Sequence, residues 1–300
     1  MWFRNVRAYR LDAGWAYDFA ALTALLDKAR FQPCGATDMQ SHGWVPPRGE
    51  EGEMVVSVGG HQLIALGTEQ KLLPGSVVRQ YVAARVEELE ARQGYKPGRG
   101  QLREIREQVT AELLPRAFVR RRLTYVWIDP VGRWLGIDVA SAAKADEVVE
   151  QLKLALDALP LLPLRTALSP SAAMTQWLAE GDGPAGFSID RDCELRSQAE
   201  EGATVRYTRH ALDVDEVRSH LAAGKKATRL AMTWADRVSF VLTEDMHVKR
   251  LAFLDVLKEQ AEQQSGDAGE TFEADFAIMA GEFSRFLPDL IASLGGETKV

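Results

Sequence analysis

Arg116, Arg120, Arg121 and Arg122 surround one phenylalanine, Phe118, in the stretch Leu113-Leu114-Pro115-Arg116-Ala117-Phe118-Val119-Arg120-Arg121-Arg122. Guanidinium groups are planar forks of donors that match phosphate or carboxylate oxygens two at a time, so arginine at this density is chemistry for holding anions. The bias extends outward: residues 79–122 hold eleven Lys/Arg and six Glu, a local charge of +5 in a chain of formal charge −7. The acidity belongs to one tail, because residues 241–300 carry twelve acids against five bases and residues 1–240 balance to zero. A positive region in an acidic chain is the footprint of a surface that meets polyanions, and nucleic acid is the leading candidate.

Three further basic clusters accompany this one: Arg4, Arg7 and Arg10; Arg92, Lys96, Arg99, Arg103 and Arg106; and Arg206, Arg209 and His210 with Lys225, Lys226 and Arg229. On extended backbone, side chains alternate between faces, so Arg4 projects with Arg10 and Arg120 with Arg122, while Arg121 points away. Such stripes suit phosphate neutralisation better than base reading, since nothing resembles a recognition helix, a zinc finger or the aromatic submotifs of an RNA-recognition sheet. Plainer readings compete. Glu87, Glu88, Glu90, Glu104, Glu107 and Glu112 share the helical segment with its arginines, and exposed pairs of this kind contribute about 0–1 kcal/mol each; for that segment a solvated face is favoured. Phe118 is either a core aromatic, which composition favours, or an apolar plug at a subunit contact, where aromatics amid arginines are typical.

Several other chemistries find no support. Gly224-Lys225-Lys226 lacks the earlier glycine and the following Ser or Thr of a phosphate loop, because Ser219 and Lys226 occupy those places. Gly98-Arg99-Gly100 lies between helical patterns and is followed by Arg103 where a dinucleotide fingerprint needs glycine. The five histidines form no zinc pattern, and Cys34 and Cys193 lack metal-ligand spacing, so reduced structural thiols are expected. Asp129, Asp138, Asp190 and Asp192 could serve a metal-dependent nuclease only if folding gathers them; a turn role for Asp129 and a solvated face for Asp190-Arg191-Asp192 are the simpler assignments. No cofactor is expected.

The elements that must position these residues are those of an α+β chain. Alternation over Trp2–Leu11 predicts a strand, and Asp18 caps a helix carrying Phe19, Leu22, Leu25, Leu26 and Ala29. A nonrepetitive Gly/Pro loop over residues 31–47 precedes a hairpin of residues 54–58 and 61–68 around Gly59-Gly60. Two charged helices follow, Gly75–Arg92 and Gln101–Leu114, then strands Leu123–Ile128 and Trp134–Val139 about Asp129-Pro130-Val131-Gly132, and a helix from Ala142 to Leu159. Ser171–Ala179 reads as helix and Gly202–Arg209 as strand, with Asp213 and Glu216 as a capping box for a helix reaching Ala223. Strands Thr228–Thr233 and Val238–Thr243 and a helix from Lys249 to about Gln264 repeat the strand, turn, strand, helix order, before a last helix from Glu273 to Leu294 containing Pro288. Strand pairs mixed with helices, without regular βαβ alternation, predict antiparallel or mixed sheets with flanking helices. The start lacks a secretory signal, no stretch is apolar enough to span a bilayer, and a cytoplasmic place without membrane contact is expected.

Trp2-Phe3-Arg4-Asn5, Phe31-x-Pro33-Cys34-Gly35, Gly43-Trp44-Val45-Pro46-Pro47, Leu113-Leu114-Pro115-Arg116-Ala117-Phe118, Trp127-Ile128-Asp129 and Phe272-x-Ala274-Asp275-Phe276 together resemble the bacterial recombination-associated RdgC family, in the same order from Trp2 to Gly296. The resemblance implies an elongated, curved subunit that forms a ring-shaped homodimer. Duplex DNA would pass through its hole, with single-stranded DNA a lesser expectation, and the protein would restrain RecA-mediated strand exchange at the nucleoid. It implies a central region of residues 1–74 and 123–168, a helical projection over 75–122, a finger-like projection over 169–235 and a C-terminal region over 236–300. By position, Phe118 matches the phenylalanine of one dimer contact, and Arg209-His210 match a basic-polar pair near the other. The family often has Lys-Lys-Gln where this chain has Thr208-Arg209-His210, so closure there is expected to be weaker or pH-sensitive. The candidate DNA contacts are Arg4, Arg10, Arg116, Arg120, Arg122, Arg209, His210, Lys225 and Lys226. A metal-dependent nuclease, and an adaptor that binds recombination proteins without DNA, are the alternatives.

Overall fold

The computed structural model describes residues 1–298 except 13, 16, 163, 200–201 and 264–267. In chain order its elements are β1 (Val6–Leu11), α1 (Phe19–Lys28), β2 (Gln40–Val45), β3 (Val56–Val58), β4 (His61–Leu72), α2 (Gly75–Gln93), α3 (Arg99–Leu113), β5 (Phe118–Asp129), β6 (Trp134–Ile137) and α4 (Ala142–Ala155). There follow β7 (Leu161–Leu162), α5 (Pro170–Glu180), β8 (Phe187–Arg196), β9 (Thr204–Tyr207), α6 (Asp215–Ala222), β10 (Lys226–Trp234), β11 (Val238–Thr243), β12 (His247–Phe253), α7 (Asp255–Gln263) and α8 (Ala268–Ser293). The chain is α+β. One twelve-stranded sheet runs β2-β4-β5-β6-β1-β12-β11-β10-β8-β9, with β3 on β4 and β7 on β1.

Each sheet face buries its own core. On one face, α5 and α8 cover a cluster that includes Phe3, Val6, Trp127, Met232, Phe240 and Phe283. On the other, α1 and α4 cover Leu11, Ile64, Leu66, Val126, Ile128, Leu135 and Ile137. Period-two alternation explains the division: Trp127 turns to the first core, while Val126 and Ile128 turn to the second. The second core stops at β1, and among the described residues none of its members comes from β8 to β12.

Five local expectations are corrected. The strand begins at Val6 rather than Trp2, leaving Arg4 in a bend beside it. The segment read as a nonrepetitive loop contains β2, because Gly43 lets the chain pass directly against Phe31: Phe31 N donates to Trp44 O at 2.9 Å and Trp44 N to Ala29 O at 2.9 Å. The expected capping box is not formed. Val214 is the N-cap of α6, and Glu216 instead accepts from the Tyr207 hydroxyl at 3.1 Å.

Two corrections matter for function. β8 escapes sequence reading because Phe187 and Ile189 alternate with Cys193 and Leu195 only across the charged Asp190–Asp192 run, where its register with β10 also shifts. Lys249–Phe253 is strand, not helix, so the second unit gains β12 before its helix, whose expected limit Gln264 lies outside the described residues. Between the pairs Ser239↔Ala252 and Val241↔Lys249, β12 contains one residue more than β11. This bulge places buried Val248 and Leu251 three apart, which imitates helical spacing.

A Cβ at Gly43 would lie 2.2 Å from Phe31 Cα. Gly43→Ala is therefore expected to destabilise the chain by about 1–3 kcal/mol or more, as overpacking against backbone does; urea unfolding measures it, and an unchanged midpoint would refute the close approach.

Candidate nucleic-acid interface

β4 and β5 continue past the end of β6 as a ribbon, edged by β2 as far as Gln40↔Gln70, whose last pair is Leu72↔Phe118. Phe118 is 84% exposed, with half-exposed Val119 and Leu72 beside it, so the core position that composition favoured is overturned. Arg120 and Arg122 share Phe118's face, opposite Gln70 and Thr68, and Arg120 Nη2 donates to Gln70 Oε1 at 2.9 Å. Arg121 turns to the opposite face as alternation predicts, and donates to the buried Glu69 at 2.6 Å. Glu69 also accepts from Cys34 N at 2.9 Å, and the next residue on that face, Lys71, donates to the carbonyls of Gly35 and Ala36. These bonds strap residues 34–36 to the ribbon. The Arg121 and Cys34 bonds hold the Glu69 carboxyl below the usual range.

At the other end of the sheet, a buried carboxylate organises arginines in the same manner. Cross-strand register sets Arg206 opposite Glu194, Glu194 opposite Arg229, and Arg229 opposite Thr243, which places all four on one face. Glu194 accepts from Arg206 Nε at 3.2 Å and from Thr228 Oγ1 at 2.9 Å; Arg196 and Arg229 approach to 3.5 and 3.8 Å. Burial pushes the Glu194 carboxyl up, yet the Arg206 and Thr228 bonds and the Arg229 charge outweigh it and leave the carboxyl below its usual value. Three guanidinium groups thus surround one anion, with their outer edges in water.

The candidate contacts fall into separate places. Arg116, Arg120 and Arg122 lie at the ribbon end, and Arg209 and His210 in the turn after β9; all are exposed. Arg209 N donates to Asp192 Oδ1 at 2.8 Å, and His210 packs on Tyr207 with ring centroids 5.4 Å apart. Lys226 is exposed at the start of β10, whereas Lys225 is half-buried with Nζ 3.1 Å from His220 Nδ1. Arg4 is exposed before β1. Arg10 is engaged elsewhere: it lies over the Trp134 ring at 3.5 Å and donates to Glu297 at 2.8 Å. Lys249 and Arg250 carry no sequence sign of being strand cations because the bulge disguises their strand, nor does Arg196 because the alternation of β8 is interrupted. In the helical pair, Arg85 pairs with Glu88 and Glu112, and Arg103 with Glu107, in keeping with a solvated face.

The four aspartates of the nuclease alternative serve separate bonds. Asp129 accepts from Gly132 N at 2.7 Å and Ser284 Oγ at 3.1 Å, and Asp138 from Asn5 N at 2.9 Å. Asp190 accepts from Thr233 and Asp192 from Arg209. Among the described residues no group of three or more His, Cys, Asp or Glu is placed to hold a metal ion. Burial pushes the Cys193 thiol up to about 12, so it stays protonated. No described helix is long and apolar enough to cross a membrane.

Fold and surface together define a class: an α+β chain whose single antiparallel sheet carries acid-braced arginines at both ends. The family model described as "Putative exonuclease, RdgC" matches residues 1–297. Recombination-associated protein RdgC of Dechloromonas aromatica (strain RCB) is 55% identical over 99% of this chain and 98% of its own. Its counterpart in Cupriavidus necator is 54% identical over the whole of both chains, and that in Bordetella pertussis 51% identical over the whole of both. The chain belongs to the RdgC family of recombination-associated proteins.

A carboxylate held below its usual pKa stabilises the fold fully above the unfolded value, and that contribution is lost as pH falls through the folded one. Stability is thus expected to hold near neutrality and drop as pH falls below the ordinary glutamate range. In Glu194→Gln this acid-limb loss should shrink; an unchanged acid limb in thermal melts would contradict the bracing role.

Proposed function

We propose that this protein is a non-enzymatic, sequence-independent DNA-binding protein that encircles duplex DNA as a ring-shaped homodimer and restrains RecA-mediated recombination at the nucleoid. The observation that carries the reading is Phe118, 84% exposed at the ribbon end beside Arg116, Arg120 and Arg122. An apolar tip formed by Phe118, Val119 and Leu72 is a surface suited to cover by a partner, and a second copy supplies the same tip. Membership of the RdgC family supports the recombination setting.

In this reading the helical projection of residues 75–122 carries one contact and the finger-like projection of residues 169–235, with Arg209 and His210, carries the other. A two-fold ring built from two isologous contacts turns the intervening sheet surface toward its hole. Neutralising phosphates there gives retention that is indifferent to sequence and falls steeply with salt. In this reading the carboxylates Asp129 and Asp138 act as turn and backbone braces.

Phe118→Ala is expected to weaken dimerisation and DNA binding together. Analytical ultracentrifugation at low micromolar concentration checks the first, and an intact dimer there would contradict the assigned role. Incubating linear and circular DNA with Mg²⁺ or Mn²⁺ should leave both intact; cleavage abolished by Asp129→Asn or Asp138→Asn would replace the proposal with a nuclease.

A further inference from the structure

A depression of about 310 Å³ opens on the sheet face beyond the second core, between β9, β8, β10, β11 and β12. Its rim carries Arg206, Arg229, Lys249 and Arg250, and its acids are Asp192 and Glu194. The charges are layered. Glu194 is 4% exposed and already bonded to Arg206 and Thr228, whereas the side chains of Arg206 and Arg250 are 62% and 74% exposed. Asp192, at 30%, is also less exposed than these arginines, so an anion arriving from solvent meets cations first.

Backbone geometry marks the same place. Arg209 and Arg250 both have left-handed conformations, with φ of 53° and 52°. Residues other than glycine take this conformation at a cost, and such positions gather where a site needs a side chain aimed in a particular direction. Both converge on Asp192, which accepts from Arg209 N at 2.8 Å and from Arg250 Nη1 at 3.2 Å. Arg250 N is also held by Asn5 Oδ1 at 3.4 Å. The bulge in β12 thus turns Arg250 back toward the depression, and Asp192 fixes the Arg209 turn and the Arg250 head to one point.

We infer that this depression is a cradle for a backbone phosphate of nucleic acid, held by Arg206, Arg229, Lys249 and Arg250. Glu194 preorients Arg206 and Arg229, so little side-chain freedom is lost when phosphate oxygens meet their outer N–H groups. Arg250 leaves its exposed bond with Asp192 for the phosphate, while the Arg209 turn stays bonded to Asp192. The inference rests on the DNA-binding reading and assigns the residues of one phosphate contact within it.

The test is fluorescence anisotropy of a labelled duplex with the full chain across a salt series. Arg229→Ala/Arg250→Ala should weaken binding roughly ten- to hundredfold, as loss of charged hydrogen bonds does, and lower the magnitude of the salt slope by about 1–2. Arg85→Ala/Arg103→Ala, an equal loss of charge on the helical pair, should leave both quantities near wild type. Arg229→Lys/Arg250→Lys should restore the salt slope but only part of the affinity. If the cradle variant binds like wild type, or the helical-pair variant loses as much, the cradle is refuted while DNA binding stands. Wild-type protein without salt-sensitive retention of DNA would instead refute the reading on which it rests. Binding is measured at a temperature at which thermal melts show both double variants folded, which separates these outcomes from unfolding.

Discussion

The ring of Phe283, on α8, meets Phe3 at 5.6 Å, Trp127 of β5 at 5.3 Å and Phe253 of β12 at 5.8 Å. Through those contacts one side chain touches elements from both halves of the sheet. β1 is the seam between the halves, paired with β6 through Arg7 to Arg10 but with β12 through Val6 and Arg7, beside one backbone bond from Leu251 N to Arg4 O. So short a ladder leaves the join dependent on side-chain packing, and aromatic pairs of this kind contribute about 0.5–1.5 kcal/mol each beyond the area they bury. Trp2 against Phe253, at 4.8 Å, extends the same cluster across the seam. The distance between the ribbon and the β8–β9 hairpin, and hence the layout of every candidate contact, follows from this packing.

An acidic chain can present basic surfaces because its acids are used in two ways. Glu69 and Glu194 lie buried within the sheet and accept from arginines whose remaining donors face water. Glu282 is likewise buried and accepts from Arg237 at 2.8 Å, tying β11's leading turn to α8. The net negative charge falls in residues 241–300, where twelve acids face five bases and which include α7 and α8. Net charge therefore says little about which partner the sheet meets; local arrangement decides it.

Much of the fold is legible in the residues. The Gly59-Gly60 hairpin, the Asp18 cap of α1 and the paired strands about Asp129–Gly132 all appear where turn chemistry and alternation predict them. What escapes is set by long-range pairing. β2 exists because Gly43 admits the backbone of Phe31, which leaves no local periodic signal, and β12 is hidden because a bulge gives its buried residues helical spacing. The site is legible to the same degree. The opposed faces of Arg121 and Arg122 follow from period two, whereas the diversion of Arg10 to Glu297 and the gathering of Arg229 with Arg206 about Glu194 depend on partners distant in sequence.

Encirclement is the central claim, and topology tests it most directly. Protein loaded at low salt onto a covalently closed circular plasmid is challenged with moderate salt, and the bound fraction is compared before and after one restriction cut. A closed ring predicts retention on the circle and loss once ends are present, because sliding then suffices for release. Equal retention on circular and linear DNA would contradict encirclement and leave an ordinary surface contact.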